Sequence, residues 1–394
     1  MTTHAFPANA IAAATHRDPY PYYAHLVART PMYRDDALGL WVATSAEAVT
    51  AVLTSDICRV RPVAEPIPTA LLGSPAAAIF SRLIRMNDGG GHCPFNRAVA
   101  ATLGTLDPSE IAKRSAHWAR ALAEELNAVD NRAGLTEYMF QLSVQVLGSS
   151  LGLPGDKLRD TGQWISRFVR SVFPGSTHAQ VEEGKTAAGQ LLELFRAVLA
   201  SSRSQSNHSL LARLALEGER AGRADVDVIL ANGIGFLSQA YEATAGLIGN
   251  TLLTLARHPR VRGQVAADDN LVSALVREVL RYDPPAHNTR RFPAADGTVA
   301  GQPMKAGDSI LVVVAAANRD PAANPQPDQF DLFRADTRLY TFGVGVHACP
   351  GDRYATTIAE AAVTHLLRTG LHIEKLPAHF TYRLSANTRI PLFA

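Results

Sequence analysis

From Asp225 to His258 the chain reads DVDVILANGIGFLSQAYEATAGLIGNTLLTLARH, a long run with little charge and apolar residues on most faces of a helix. Asp225 is a natural N-terminal cap, and Pro259 stops the run because proline cannot continue a helix. A helix apolar all round has no side that tolerates water, so it is expected to pass through the centre of the protein. Gln239, Glu242 and Thr244 lie within it, and polar residues in such a helix need a reason.

The rest of the chain has to build around that helix. GLWVATS from Gly39 reads as a strand and AEAVTAVLTS from Ala46 as an amphipathic helix. A proline-rich loop from Arg61 to Pro75 cannot be regular throughout, since proline removes donors and restricts its neighbours. From Leu106 to Arg257 nearly everything reads as helix, broken at Gly152–Asp156, Phe173–Gln180 and Ser201–Ser209. A further helix ends in LVREVLRYDPP, and SILVVVAAANRD reads as strand. The expectation is a mainly α fold with small β-sheets, in one domain over residues 1–394, because no repeat, linker or composition shift marks a cut.

With 47% hydrophobic residues and 19% charged, the chain can bury a large core. A net charge of +2, with no Lys/Arg run interleaved with aromatics, excludes nucleic acid as the expected partner. The three cysteines, Cys58, Cys93 and Cys349, suit a reducing compartment, so a cytoplasmic location is expected. No basic start with an apolar core, and no apolar run near the roughly 20 residues that span a bilayer, points to a leader or an anchor.

Cys58 and Cys93 read as small buried hydrophobes. Cys349 differs: YTFGVGVHACPGDRYA surrounds it with Gly343, Gly345, Gly351 and His347, and helical spacing begins after Pro350 at Ala355, Ile358, Ala359, Ala362, Leu366 and Leu367. Backbone N–H groups at a helix start favour an anion, which suits a thiolate. Nucleophilic catalysis has only His347 nearby as a base, and a zinc site lacks further Cys or His at regular spacing. The third use is as axial ligand of haem iron.

FGVGVHACPG resembles the haem-binding signature of the cytochrome P450 superfamily at every defined position: Phe342, Gly343, Gly345, His347, Cys349 and Gly351. The likeness to soluble bacterial members extends over nearly the whole chain, through DPYPYYAHLVARTPMYRDDALGLWVATSAEAVTAVL and ANRDPAANPQPDQFDLFR. It implies a single-domain P450 fold with the long central helix over haem b, whose iron takes Cys349 as thiolate ligand. Glu278 and Arg281, spaced i, i+3, resemble the family's Glu-x-x-Arg motif. The resemblance implies a structural role for them with Arg334 as third partner, although Gln329 sits where some members place that arginine. For the haem propionates it implies His347, one of Arg290 and Arg291, and His92; the arginine that would accompany His92 is displaced, with Asn96 at its place and Arg97 next.

In the central helix the family commonly places an acid followed by threonine as a proton relay in dioxygen activation. Here Gln239-Ala240-Tyr241-Glu242-Ala243-Thr244 keeps the acid and puts Ala243 at the threonine's place. Neighbouring helix positions differ by about 100°, so Thr244 does not simply replace the hydroxyl; it is either a functional group or a hydroxyl bonded back to the preceding turn. Glu242, Gln239, Ala243 and Thr244 are the candidate catalytic positions, and Ala240, His287 and Asn288 the candidate pocket positions. His287 and Asn288 are either orienting groups or satisfied loop residues.

The resemblance implies a haem-thiolate monooxygenase inserting one oxygen atom into a mostly apolar small organic molecule, in secondary metabolism or catabolism. Electrons would come from a separate ferredoxin or flavodoxin with its NAD(P)H-dependent reductase, and the protein would be a monomer. Two alternatives stay open: atypical haem-thiolate chemistry, such as peroxide-driven oxidation, dehydrogenation or rearrangement, marked by Ala243; and a non-catalytic haem-binding protein.

Overall fold

The five-stranded sheet shows how the alternation of side chains builds the core. The computed structural model describes residues 5–89, 93–204, 209–222 and 225–394. Strands β1 (Met32–Asp35), β2 (Leu40–Ala43), β3 (Cys58–Arg59) and β4 (Thr289–Pro293) are followed by the hairpin β5 (Gly297–Val299) and β6 (Gln302–Met304), then by β7 (Ile310–Val312). The sheet order is β1-β2-β7-β4-β3, with β2 and β7 parallel and the other neighbours antiparallel. Successive side chains point to opposite faces. Ile310 and Val312 therefore join Val49, Val52 and Leu53 of the helix Ala46–Leu53, while Leu311 and Val313 join Tyr23 of the helix Tyr20–Arg29 on the other face. A second hairpin, β8 (Phe380–Tyr382) and β9 (Pro391–Phe393), closes the described chain.

Cα packing divides the chain into two compact units. One holds Met1–Val63, Ala119–Met139 and Glu242–Ala394, and with them every strand among the described residues; the other holds Ala64–Trp118 and Phe140–Tyr241, whose described residues are mainly helical. In the helical unit, Gly184 lets the helices Leu158–Ser171 and His178–Ser204 approach, since a Cβ there would lie 2.9 Å from Arg167 O. Asn232 fastens the segment after the helix Pro75–Arg82 by accepting from Ile84 N and donating to Arg82 O.

The long helix is observed at Val226–Arg257, buried along most of its length. Asp225 Oδ1 accepts from Asp227 N at 2.9 Å, and Pro259 opens the next helix, Pro259–Ala267. The strand expected at Gly39 is β2, and the helix expected at Ala46 starts there, with Ser45 accepting from Ala48 N.

Two expectations are corrected. SILVVVAAANRD is strand only at Ile310–Val312 and then turns into the helix Val314–Asn318, whose three consecutive alanines favour helix. The helical stretch after Leu106 also breaks between the helices Pro108–Glu125 and Arg132–Leu151. Asn127 takes a left-handed φ of 49°, and Asn131 caps the new helix by accepting from Gly134 N. Among the described residues no helix is long and apolar enough to cross a membrane.

Candidate active site

The cysteine loop is held by its own backbone. Cys349 N donates to Phe342 O at 2.8 Å, Gly343 N to Tyr340 O and Ala348 N to Gly345 O, closing a loop around the short turn Gly345–His347. Gly343 and Gly345 adopt φ of 70° and 76°, a region that costs other residues a Cβ clash. At Gly345 the need is doubled, because a Cβ would also press on Thr54 Cγ2 at 3.3 Å. Cys349 is exposed and lies just ahead of the helix Asp352–Arg368; a Cβ on Gly351 would stand 3.8 Å from Cys349 Sγ, so the absence of a side chain keeps that flank of the sulfur open.

The start of the loop is anchored to the helix Leu271–Tyr282. Thr341 Oγ1 donates to Leu280 O at 2.6 Å; Asn318 Nδ2 donates to the same carbonyl and to Thr341 Oγ1, while Asn318 Oδ1 accepts from Tyr340 N. On that helix Glu278 and Arg281 form a buried bidentate pair, with Nη2 to Oε1 at 2.6 Å and Nε to Oε2 at 2.9 Å. Arg334 Nε reaches Glu278 Oε1 at 3.4 Å, and Gln329 takes part through its carbonyl, which accepts from Arg281 and Arg334. The whole cluster sits on the loop that precedes the cysteine. Such pairs endure in the interior only when every oxygen is satisfied, as here.

The two adjacent arginines are separated by strand alternation. Arg291 pairs in register with Ile310 and is buried; Arg290 pairs with Leu311 and is exposed. Paired residues share a face, so Arg291 stands on the face of Ile310, where Tyr340 and Val344 of the cysteine loop also pack. His347 is half-buried in that loop. His92 lies outside the described residues, and Arg97 is exposed. Haem asks for an axial donor with room beside it and cations for its carboxylates. The exposed cysteine flanked by glycine, with His347 in its own loop and Arg291 on the sheet face where that loop packs, fits that demand.

Phe236, Gln239, Ala240 and Ala243, at i, i+3, i+4 and i+7, form one half-buried stripe of the central helix; Ser238 and Glu242 are half-buried on a neighbouring face, whereas Thr244 is fully covered. Gln239 Nε2 donates to Gly235 O of its own helix. The hydroxyl of Thr244 is not bonded back to the preceding turn: it is buried with no hydrogen-bond partner among the described residues. Thr251, by contrast, donates to Leu247 O at 2.7 Å. Glu242 forms an ion pair with Arg383, Oε1 to Nη1 at 3.0 Å. Nothing in the sequence near Arg383 signals this pairing, which only the return of the C-terminal hairpin creates.

The structure places the candidate pocket residue His287 in a buried polar cluster. Its Nδ1 is hydrogen-bonded to Tyr23 Oη at 3.0 Å. Burial, assisted by the Arg389 guanidinium and opposed by Asp283, pushes the imidazole down to about 3, so it is neutral. Asn288 donates to Ala386 O at 2.8 Å. Both side chains are therefore engaged by the protein itself.

The family model for cytochrome P450 matches residues 159–369, more than half of the chain. The chain is 32% identical over 234 residues to the vitamin D(3) 25-hydroxylase of Pseudonocardia autotrophica, a match spanning 59% of this chain and 56% of that protein. It is 29% identical to the cytochrome P450 monooxygenase PikC of Streptomyces venezuelae, over 89% of this chain and 83% of that one. Among solved structures, P450BioI in complex with an acyl carrier protein ligated to hexadec-9Z-enoic acid superposes with a TM-score of 0.82 at 21% identity, covering 96% of this chain and 99% of that one. A cysteine loop built on left-handed glycines, a braced Glu-x-x-Arg helix and these matches give one answer: the chain belongs to the cytochrome P450 family, haem-iron oxidoreductases, and is of the bacterial type.

Proposed function

We propose that the protein is a haem-thiolate monooxygenase acting on a mostly apolar small molecule, with electrons delivered by a separate ferredoxin or flavodoxin and its reductase. The observation that carries this reading is the cysteine loop: an exposed thiol, a flank opened by Gly351 and a backbone closed by the Cys349–Phe342 hydrogen bond. Bound haem would supply dioxygen activation, with thiolate donation favouring O–O cleavage. In this reading Cys349 holds the iron, Arg291 and His347 hold propionates, and Arg290 stays in solvent. Glu242 moves protons from solvent, and Ala240 and Ala243 leave space for the substrate on the half-buried stripe.

Because Ala243 and not a hydroxyl occupies the half-buried stripe, a second reading has specific support. In it the substrate's own hydroxyl, or a water it holds, completes the proton path that threonine serves elsewhere. The complex of the structural neighbour P450BioI with a fatty-acid-ligated acyl carrier protein adds a carrier-tethered acyl chain to the candidate substrates.

The reduced, carbon monoxide-bound protein is expected to show the red-shifted absorption of thiolate-ligated haem, and Cys349→Ser to lose it while retaining the secondary structure seen by circular dichroism. Persistence of that band in Cys349→Ser rules out this ligand assignment.

A further inference from the structure

We propose that Arg383 is a positioning residue for the acid of the central helix: it holds Glu242 by Oε1, so that protons pass through Oε2. The inference rests on the reading of Glu242 as a proton relay and adds the residue that aims it.

The geometry is built from the backbone outward. The β8–β9 ladder, Phe380↔Phe393 to Tyr382↔Pro391, continues one step further, because Arg383 N donates to Ile390 O at 2.9 Å. That fixes the Cα of Arg383 on the hairpin. The hairpin is in turn seated on the central helix, along a face that Glu242 shares with Gly246, Gly249 and Asn250 at i+4, i+7 and i+8. A Cβ on Gly246 would lie 2.9 Å from Arg389 O, one on Gly249 2.5 Å from Pro391 Cγ, and Asn250 Nδ2 donates to Arg389 O at 3.1 Å. Backbone contact this close leaves the hairpin little freedom to slide. The Arg383–Glu242 pair is therefore set by the same packing that seats the hairpin.

Both side chains are about four-fifths shielded, with relative exposures of 19% and 20%. A pair so shielded is screened less than one on the surface, and it retains contact with water. Solvent can supply a proton to the carboxylate, and the proton can pass on toward the half-buried stripe at Ala243. With Oε1 engaged by the guanidinium, the second oxygen is the one that turns over: it takes a proton from water, gives it up inward, and the ion-paired carboxylate is restored. Arginine suits the task because it stays charged throughout.

The test uses the holoprotein with surrogate ferredoxin and reductase, dioxygen and NADH, run in H2O and D2O, for Glu242→Gln, Arg383→Gln, Arg383→Lys and the Glu242→Gln/Arg383→Gln double variant. Thermal unfolding of the same set provides a readout independent of turnover. The expected result is a loss of NADH oxidation of about a hundredfold in each single glutamine variant, the low end of general acid–base effects. A changed solvent isotope effect, partial rescue by Arg383→Lys and a double variant no worse than Glu242→Gln are expected alongside. Non-additive melting shifts complete the pattern. If Glu242→Gln behaves as wild type, the relay reading itself fails and the inference falls with it. If Glu242→Gln is impaired while Arg383→Gln matches wild type, or the melting shifts are additive, the relay stands and the positioning role of Arg383 is overturned. Should Arg383→Gln not fold, Arg383→Lys with the same isotope measurement decides.

Discussion

Ala243 stands on the half-buried stripe of the central helix, while the hydroxyl of Thr244, one residue on, is buried without a hydrogen-bond partner among the described residues. A buried unsatisfied hydroxyl costs about 1–3 kcal/mol, and the helix carries that cost without gaining a hydroxyl on the stripe. Ala243→Thr supplies one there. A few tenths of a kcal/mol in helix propensity is the expected stability loss, and a larger share of NADH electrons recovered in product, with less hydrogen peroxide released, is the expected gain. A smaller share instead marks a site shaped around alanine, in which substrate or water supplies the hydroxyl. The alternation of Arg290 and Arg291 is a second residue-scale fact of the same kind: register with Leu311 and Ile310 decides which side chain turns inward, and the two letters themselves do not.

At the scale of elements, glycines set how closely the C-terminal hairpin and the central helix approach. Replacing a mid-helix glycine by alanine ordinarily stabilises by about 1 kcal/mol. At Gly246 the new Cβ would meet Pro285 Cβ at 2.8 Å and the backbone carbonyl of Arg389 at 2.9 Å. Neither can yield cheaply, so Gly246→Ala is expected to destabilise by about 1–3 kcal/mol in chemical denaturation, the range for overpacking. An increase in stability means the hairpin shifts freely. The helix break at Asn127–Asn131 belongs here too: no proline announces it, and a left-handed asparagine with a second asparagine as cap makes it.

Across the whole chain, segments far apart in sequence meet in one buried charge network. Arg389 Nε donates to Asp283 Oδ1 at 2.9 Å and its Nη groups donate to the carbonyls of Ala14, His16 and Arg17, while Tyr20 Oη also donates to Asp283. Arg319 lies between the rings of Tyr20 and Tyr282 at 3.8 and 3.6 Å. Burial raises the Asp283 carboxyl, but Arg389 and the Tyr20 hydroxyl outweigh it and hold the group below its ordinary value. His287 beside it is pushed from 6.5 down to about 3. Both shifts are depressions, so their stabilisation is present above the unfolded-state values and is lost as pH falls. Between about pH 6.5 and 3 the unfolded chain binds the His287 proton and the folded one does not, a slope approaching 1.4 kcal/mol per pH unit, about one proton's worth. In urea unfolding from pH 7 to 4, His287→Gln is expected to flatten that slope; parallel curves for the variant and wild type contradict the assignment.

The cysteine loop, the Glu-x-x-Arg pair and the long apolar helix were legible in the sequence alone, because each rests on short-range rules: positive φ at glycine, i, i+3 reach on a helix, and the exclusion of an all-apolar helix from water. The resemblance to a family signature, and not spacing alone, marked Cys349 as a haem ligand and Glu278 with Arg281 as more than a surface pair. Tertiary structure alone decided that Arg291 turns inward, that His287 and Asn288 are engaged by Tyr23 and Ala386, that Thr244 is covered and that Glu242 meets Arg383. These are questions of which surfaces meet, and strand register and the return of the C-terminal hairpin answer them over separations that no local pattern spans.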